Sequence, residues 1–457
     1  MDDFFDDVPT NEEGKIGEKK GVNPYMPPTN SKKQPKTIRA VTAIILAAAC
    51  FVLGGFAAWF SLDGEMRTLI KVKYAVQKHY YQDIDDETFY DAVFSGVNNE
   101  LLDAYSRYMT ADEYRAAQGD LAGQRIGIGL VFQTKDADGR DQMLVVRTCG
   151  NSPAEQAGIL AGDYVIGYGA QETELTESEN FADFSVFLAT MYESKPFYLK
   201  VKRGDEVKIF AITREAYVEN YVTYRTKTTG YAFTGSKADV WTETGEALAC
   251  LPDDTAYIRL IQFGEDTEKR FDTAMERFKA DGKKNLVLDL RDNGGGYLKT
   301  MQGIAGYFCK NTTEKKPVVA VAKGKDKEEI FKASRNVYGE YFYEDSRIYI
   351  LADDGSASAS ECLIGAMVDY GAVNFGDICL MERNGVAKTD GKGIMQTTYY
   401  LGVKLDAVKL TTAEICWPVS GRSIHGRGVL PEDGAKVAPT SDFGDGEIAL
   451  ALKALNG

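Results

Sequence analysis

Residues 40–62 run for 23 positions without a charged side chain. At about 1.5 Å of rise per residue, a helix of that length crosses the roughly 30 Å hydrocarbon core of a bilayer. Lys32, Lys33, Lys36 and Arg39 stand before the stretch, and Asp63 and Glu65 after it. A cationic flank stays on the cytoplasmic side. The pattern therefore predicts a single-pass transmembrane anchor over 36–62, with the N-terminus cytoplasmic and the larger C-terminal part extracytoplasmic. A cleaved secretory signal has a shorter apolar run, about 7–15 residues. A buried soluble helix would show a polar face, and this stretch has none. Residues 1–35 are polar and irregular, which predicts a disordered cytoplasmic tail.

Beyond the anchor the pattern changes several times. Residues 63–119 read as a helical N-terminal region, and Thr110-Ala-Asp-Glu113 within it has the form of a capping box. From Gly123 the apolar period becomes two. Ile126-Gly-Ile-Gly-Leu-Val-Phe132 reads as a strand entered through glycines, and Gly204-Asp205 between two apolar runs reads as a hairpin turn. Together with Gly150-Asn-Ser-Pro-Ala-Glu-Gln-Ala-Gly158, residues 120–215 resemble a PDZ domain. That resemblance implies a carboxylate-binding loop at Arg125, Ile126, Gly127, Ile128 and Gly129, able to hold a peptide terminus by strand addition. Residues 216–254 lack a strong period. From Tyr257 the order becomes strand, helix, strand, and Asn285-Leu-Val-Leu-Asp-Leu290 is a near-continuous apolar run, as in strands buried on both faces of an α/β sheet. The domain reading is completed by 216–440 as one α/β domain and 441–457 as a C-terminal helix.

The chemistry is bounded by what is scarce. The chain has two histidines, His79 and His425, in unrelated contexts, so a His-rich metal site is disfavoured and no metal or other cofactor is expected. A hydrolase of this composition is expected to use a general base other than histidine. The seven cysteines form no CxxC pair, which leaves zinc-ribbon and thioredoxin readings without support. The net charge of −15 argues against nucleic acid as a partner.

Three local constellations remain. Asp289-Leu-Arg-Asp-Asn-Gly-Gly-Gly296 follows a buried strand; its glycines suit either a tight turn or backbone N–H groups converging on an anion. Gly355-Ser-Ala-Ser-Ala-Ser-Glu361 opens a helix; Ser358-x-x-Glu361 suits a capping box, and a serine there also suits a nucleophile at the positive end of the helix dipole. Lys388-Thr-Asp-Gly-Lys-Gly-Ile-Met-Gln396 reads as a solvated turn, or as a buried lysine with a lowered pKa that serves as base.

In this order, the three constellations resemble those of the C-terminal processing peptidases, also called tail-specific proteases. The likeness extends to Leu101-Leu-Asp-Ala-Tyr-Ser-Arg-Tyr108, Tyr257-Ile-Arg-Leu260 and Ser420-Gly-Arg-Ser-Ile-His-Gly-Arg-Gly-Val-Leu-Pro431. It implies a crotonase-like α/β Ser–Lys protease core with an inserted or preceding PDZ domain. It further implies Ser358 as nucleophile, Lys392 as general base, Gln396 as the residue that positions the lysine, and Ala359 and Gly295 as oxyanion-hole donors. The substrates implied are proteins or peptides with free C-termini, and an oligomer or an activating partner is compatible with the family. His425 receives no catalytic role. Two departures from the family pattern are a longer connection at 377–386 and Asp390 beside the lysine loop, where an aromatic is usual. The competing reading is a non-catalytic PDZ adaptor on a degenerate protease core.

Overall fold

Alternation along three apolar strands decides the architecture. In the computed structural model, Ile258, Leu286, Leu288 and Ile350 face one side of a sheet, and Tyr257, Val287, Tyr349 and Leu351 face the other. All are buried, so both faces must be covered. The structure describes residues 36–456 except 137, 194, 384, 403–405 and 440–444. The disordered tail expected over 1–35 lies outside the described residues. The described residues fall into two compact units, one ending at Asp91 and the other running from Ala92.

In the first unit, Lys36–Ser61 is a helix. Its 22-residue span Ala40–Ser61 contains an 18-residue window of mean hydropathy 2.4, none of it buried. Gly64–His79 follows, capped by Asp63, whose side chain accepts a hydrogen bond from the Met66 N–H at 2.7 Å.

The second unit holds three sheets that matter for the site. The largest has eight strands in the order Val240–Glu243, Gly230–Thr234, Val222–Arg225, Thr255–Leu260, Asn285–Asp289, Ile348–Ala352, Ile378–Glu382 and Lys436–Pro439. The five strands from Thr255 onward are parallel. Helices Thr267–Ala280, Leu298–Ala305 and Ala359–Asp369 pack on one face, and the C-terminal helix Asp445–Asn456 packs on the other. The segment 216–254, without a clear period in sequence, supplies the antiparallel strands at one edge. The long connection at 377–386 is largely the strand Ile378–Glu382 followed by a turn.

A second sheet joins the hairpin of Ile394–Leu401 and Asp406–Cys416 to Val318–Gly324 and Glu328–Lys332. Its far edge is Arg107–Met109. Within the region 63–119, read as helical from the sequence, the structure has helices and also the short strand Arg107–Met109, which forms because Asp406–Cys416 offers a free edge. The capping box at Thr110 forms, with the Glu113 N–H on Thr110 Oγ1 at 3.3 Å and the Thr110 N–H on Glu113 at 2.8 Å.

Residues 130–212 form a six-stranded sheet with helices Pro153–Ala157 and Phe181–Thr190. It has its own core of Met143, Val145, Val165, Phe184, Phe197 and Leu199. The single strand expected over 126–132 is two. Gln124–Gly127 pairs with Glu215–Val218, and Leu130–Lys135 pairs with Asp141–Thr148. The break falls at Gly129, where φ is +77° and a Cβ would lie 2.1 Å from Ser152 Cβ. The Arg203–Glu206 hairpin forms as expected, with Gly204 at φ +59°.

Candidate active site

Two strand-to-helix loops meet at the C-terminal ends of Asn285–Asp289 and Ile348–Ala352. Asn293, fully buried, laces them together. Its carbonyl accepts the Ala357 N–H at 2.9 Å and the Ser360 hydroxyl at 2.8 Å, while its side-chain amide donates to the Leu260 carbonyl at 2.8 Å. Ser356 adds a second stitch, donating to the Leu290 carbonyl at 2.8 Å. Between these anchors Ser358 takes φ +56°, ψ −112°, immediately before helix Ala359–Asp369. This backbone geometry is strained for a residue with a side chain.

Of the capping box at Ser358, the reciprocal half is a hydrogen bond from the Ser358 N–H to Glu361 at 3.0 Å. The Ala359 N–H, first in the helix, makes no hydrogen bond among the described residues. Gly295 packs directly against this turn: a Cβ there would lie 2.8 Å from Ser358 Cβ. Its N–H is engaged, donating to Asn293 Oδ1 at 3.0 Å.

Glu361 is the residue the sequence reading undervalued. Its carboxylate is fully buried and gathers four donors. Oε2 takes the N–H groups of Ser358 and Lys392, each at 3.0 Å; Oε1 takes the Thr389 hydroxyl at 2.6 Å and the Gly391 N–H at 2.9 Å. The serine turn and the lysine loop are therefore tied to one carboxyl group. Burial pushes its pKa up to about 7 against these hydrogen bonds. The S-x-x-E spacing was visible in sequence, but a second loop converging on the same glutamate was not.

Lys392 is mostly buried, and burial, followed by nearby Lys409, lowers its pKa; Asp390, Glu361 and Asp103 pull the other way. Asp390 itself is exposed, and its N–H donates to the Ser356 carbonyl at 3.0 Å. The lysine loop is seated by Gly391 and Gly393. A Cβ on Gly391 would come within 2.9 Å of Gly428 N, and one on Gly393 within 2.6 Å of His425 N. Lys392 Nζ lies 4.9 Å from the Tyr105 ring centroid and makes no hydrogen bond or ion pair among the described residues, with Ser358 or otherwise. Gln396 does not reach it: its amide faces the Ile394 carbonyl at 3.5 Å. The structure thus brings Ser358, Ala359, Gly295 and the Lys392 backbone together, and leaves Gln396 and the Lys392 ammonium apart from Ser358.

Residues 125–129 lie elsewhere, along a groove of about 750 Å³ whose walls include Phe132, Phe181, Phe184 and Leu188. Arg125 is held by Asp120 at 2.5 Å and by buried Glu219 at 3.3 Å. All seven cysteines are free thiols, five of them buried. No cluster of three His, Cys, Asp or Glu side chains suited to a metal occurs among the described residues.

The arrangement has counterparts in known proteins. The model of "Peptidase family S41" matches residues 254–433, which contain both loops and the lysine. A "Probable CtpA-like serine protease" of Staphylococcus haemolyticus is 30% identical over 397 residues, covering 86% of this chain and 69% of that protein. Its counterpart in Staphylococcus aureus strain COL is 31% identical over 355 residues, covering 77% of this chain and 61% of that one. The chain thus spans about two thirds of the length of these relatives. Among solved structures, an S41-assigned protein of Bacteroides fragilis superposes with a TM-score of 0.51 at 14% identity, covering 83% of this chain and 90% of that one, a likeness of fold alone. With two buried loops and a lysine inside the matched region, and one relative similar over most of both lengths, the chain belongs to peptidase family S41.

Proposed function

We propose that the chain is a membrane-anchored, extracytoplasmic serine endopeptidase that cleaves proteins at or near their C-termini through a Ser358–Lys392 dyad on a crotonase-like core. Neutral Lys392 takes the proton of Ser358 Oγ as that oxygen attacks a peptide carbonyl. The tetrahedral oxyanion is met by the Ala359 N–H and by a donor of the glycine turn, Gly295 once its N–H leaves Asn293. The lysine then protonates the departing amine, and water hydrolyses the acyl-enzyme. The observation that carries this reading is the shared carboxylate: Ser358 N and Lys392 N bond to one oxygen of Glu361 at 3.0 Å each. That tie supports reading the two loops as one catalytic unit, and burial of Lys392 favours the neutral amine a base requires.

Residues 120–215 are read as a PDZ domain that selects or gates substrates. The apolar groove beside Ile126–Phe132 supports it. A peptide with a free carboxylate should bind this chain more tightly than its C-terminal amide; equal binding would remove the terminus-reading part.

The test of the chemistry is labelling by a fluorophosphonate probe. Wild type should label, and Ser358→Ala and Lys392→Ala should each lose labelling and peptide hydrolysis while melting as wild type does. His425→Ala should hydrolyse normally. The adaptor reading draws on one observation, the absence of a Ser358–Lys392 hydrogen bond among the described residues. A folded wild type that neither labels nor hydrolyses any peptide would favour it.

A further inference from the structure

The side chain that Lys392 Nζ lies over is aromatic, and backbone hydrogen bonds fix its turn. Tyr105 sits in the turn before Arg107–Met109. Its N–H donates to Asp103 Oδ1 at 3.0 Å, and the neighbouring Ser106 hydroxyl accepts the Thr411 N–H at 2.8 Å. Arg107–Met109 pairs with Asp406–Cys416, which in turn pairs with Ile394–Leu401, the strand that leaves the lysine loop. The turn and the lysine loop therefore ride on one sheet, and the face of the half-buried Tyr105 ring is presented to Nζ at 4.9 Å. That distance is within the range of a cation–π contact. A ring face attracts an ammonium and has no comparable hold on a neutral amine.

We propose that Tyr105 is a positioning residue for Lys392: its ring holds the charged amine in competition with Ser358 Oγ, and so sets the pH at which the lysine becomes available as base. The inference rests on the Ser–Lys reading above. The other charged groups facing Nζ are Lys409 from Asp406–Cys416, Asp390 from the lysine's own loop, Glu361 from Ala359–Asp369 and Asp103 from the Tyr105 turn. Burial and Lys409 favour the neutral amine. The three carboxylates and the ring favour the ammonium, and the ring alone among these lacks charge. Removing it leaves the charges of these groups unchanged and withdraws the cation–π contact, and a fluorinated ring does so without opening the site to water.

The experiment follows the rate of fluorophosphonate labelling against pH, using the full chain in detergent micelles. Wild type is compared with Tyr105→Phe, Tyr105→Leu and Tyr105→pentafluorophenylalanine, the last keeping the ring's shape while reversing the charge of its face. Tyr105→Phe should keep the wild-type acid limb. The leucine and fluorinated variants should move that limb down by about 0.4–1.5 pH units, the span expected for such a contact. If Tyr105→Leu fails to melt cooperatively, the fluorinated variant decides alone. An acid limb common to all folded variants, or a Tyr105→Phe limb displaced as far as that of Tyr105→Leu, would overturn the proposal while the dyad stood. Labelling of Lys392→Ala at the wild-type rate would instead overturn the dyad, and the proposal with it.

Discussion

Ser358 is held in a torsion that costs a residue with a side chain on the order of 1–3 kcal/mol. The surrounding bonds that hold it are Ala357 N–H and Ser360 Oγ on the Asn293 carbonyl, and Ser358 N–H on Glu361. Glu361 also brings a pH dependence. Its folded pKa is about 7 against an ordinary value of 4.5, so between those values the folded state binds more protons than the unfolded one. Stability from this group therefore falls as pH rises from about 4.5 to 7. The loss approaches about 3 kcal/mol above pH 7, from 1.36 kcal/mol per pKa unit. Urea unfolding at pH 5 and pH 8 should show that decline in wild type and a markedly smaller one in Glu361→Gln. Equal declines in the two proteins would mean that Glu361 does not titrate in this range. The Ser358 and Lys392 motifs could be picked out as candidates because they are short and local. The glutamate's second role could not, since it depends on a loop 28–31 positions downstream folding back.

The element that aims the serine is helix Ala359–Asp369, whose residues from Ala359 to Met367 are all buried. Its close seating depends on Gly365. A Cβ at that position would lie 2.2 Å from the Trp417 ring, and Trp417 is itself buried and stacked beside Phe375. Gly365→Ala must therefore push the helix or the indole aside, at a cost of about 1–3 kcal/mol for an overpacked core. It should lower the melting temperature and slow Ser358 labelling together. Gly376→Ala, where nothing lies within 4 Å of the new methyl, serves as control and should stay within about 0.5 kcal/mol of wild type. If both variants melt alike, the packing argument for the helix is wrong. Strands such as Asn285–Asp289 were legible as apolar runs because both faces are covered. Arg107–Met109 was not: three residues inside a helical stretch carry no period, and only the edge of Asp406–Cys416 makes them a strand.

Across the second unit, the buried charges were the least legible feature. Arg291, 2% exposed, bonds Asp289 two residues away and Glu447 in the C-terminal helix. The first partner is visible in a motif, whereas the second lies 156 residues along the chain. The long-range features that could be read were those set by bulk composition, above all the apolar run at 40–62. The helix there is long and apolar enough to span a bilayer, and both an anchor and a cleaved signal pass that test. Processing separates them. The proposed anchor rests on the 23 uncharged residues, against the roughly 7–15 of a signal's apolar region. The full chain expressed in a bacterium should then fractionate with membranes, resist extraction by carbonate and keep residues 36–61 when its N-terminal peptides are mapped. A chain beginning at Gly64 should be recovered without detergent and label at Ser358 as fast as the full chain, because all the groups assigned to the site lie beyond Asp91. Loss of 36–61 from the protein labelled in cells would show that the segment is a signal, and the extracytoplasmic enzyme would then be a released one. Retention of the segment, with a C-terminal reporter active only in the cytoplasm, would reverse the proposed orientation.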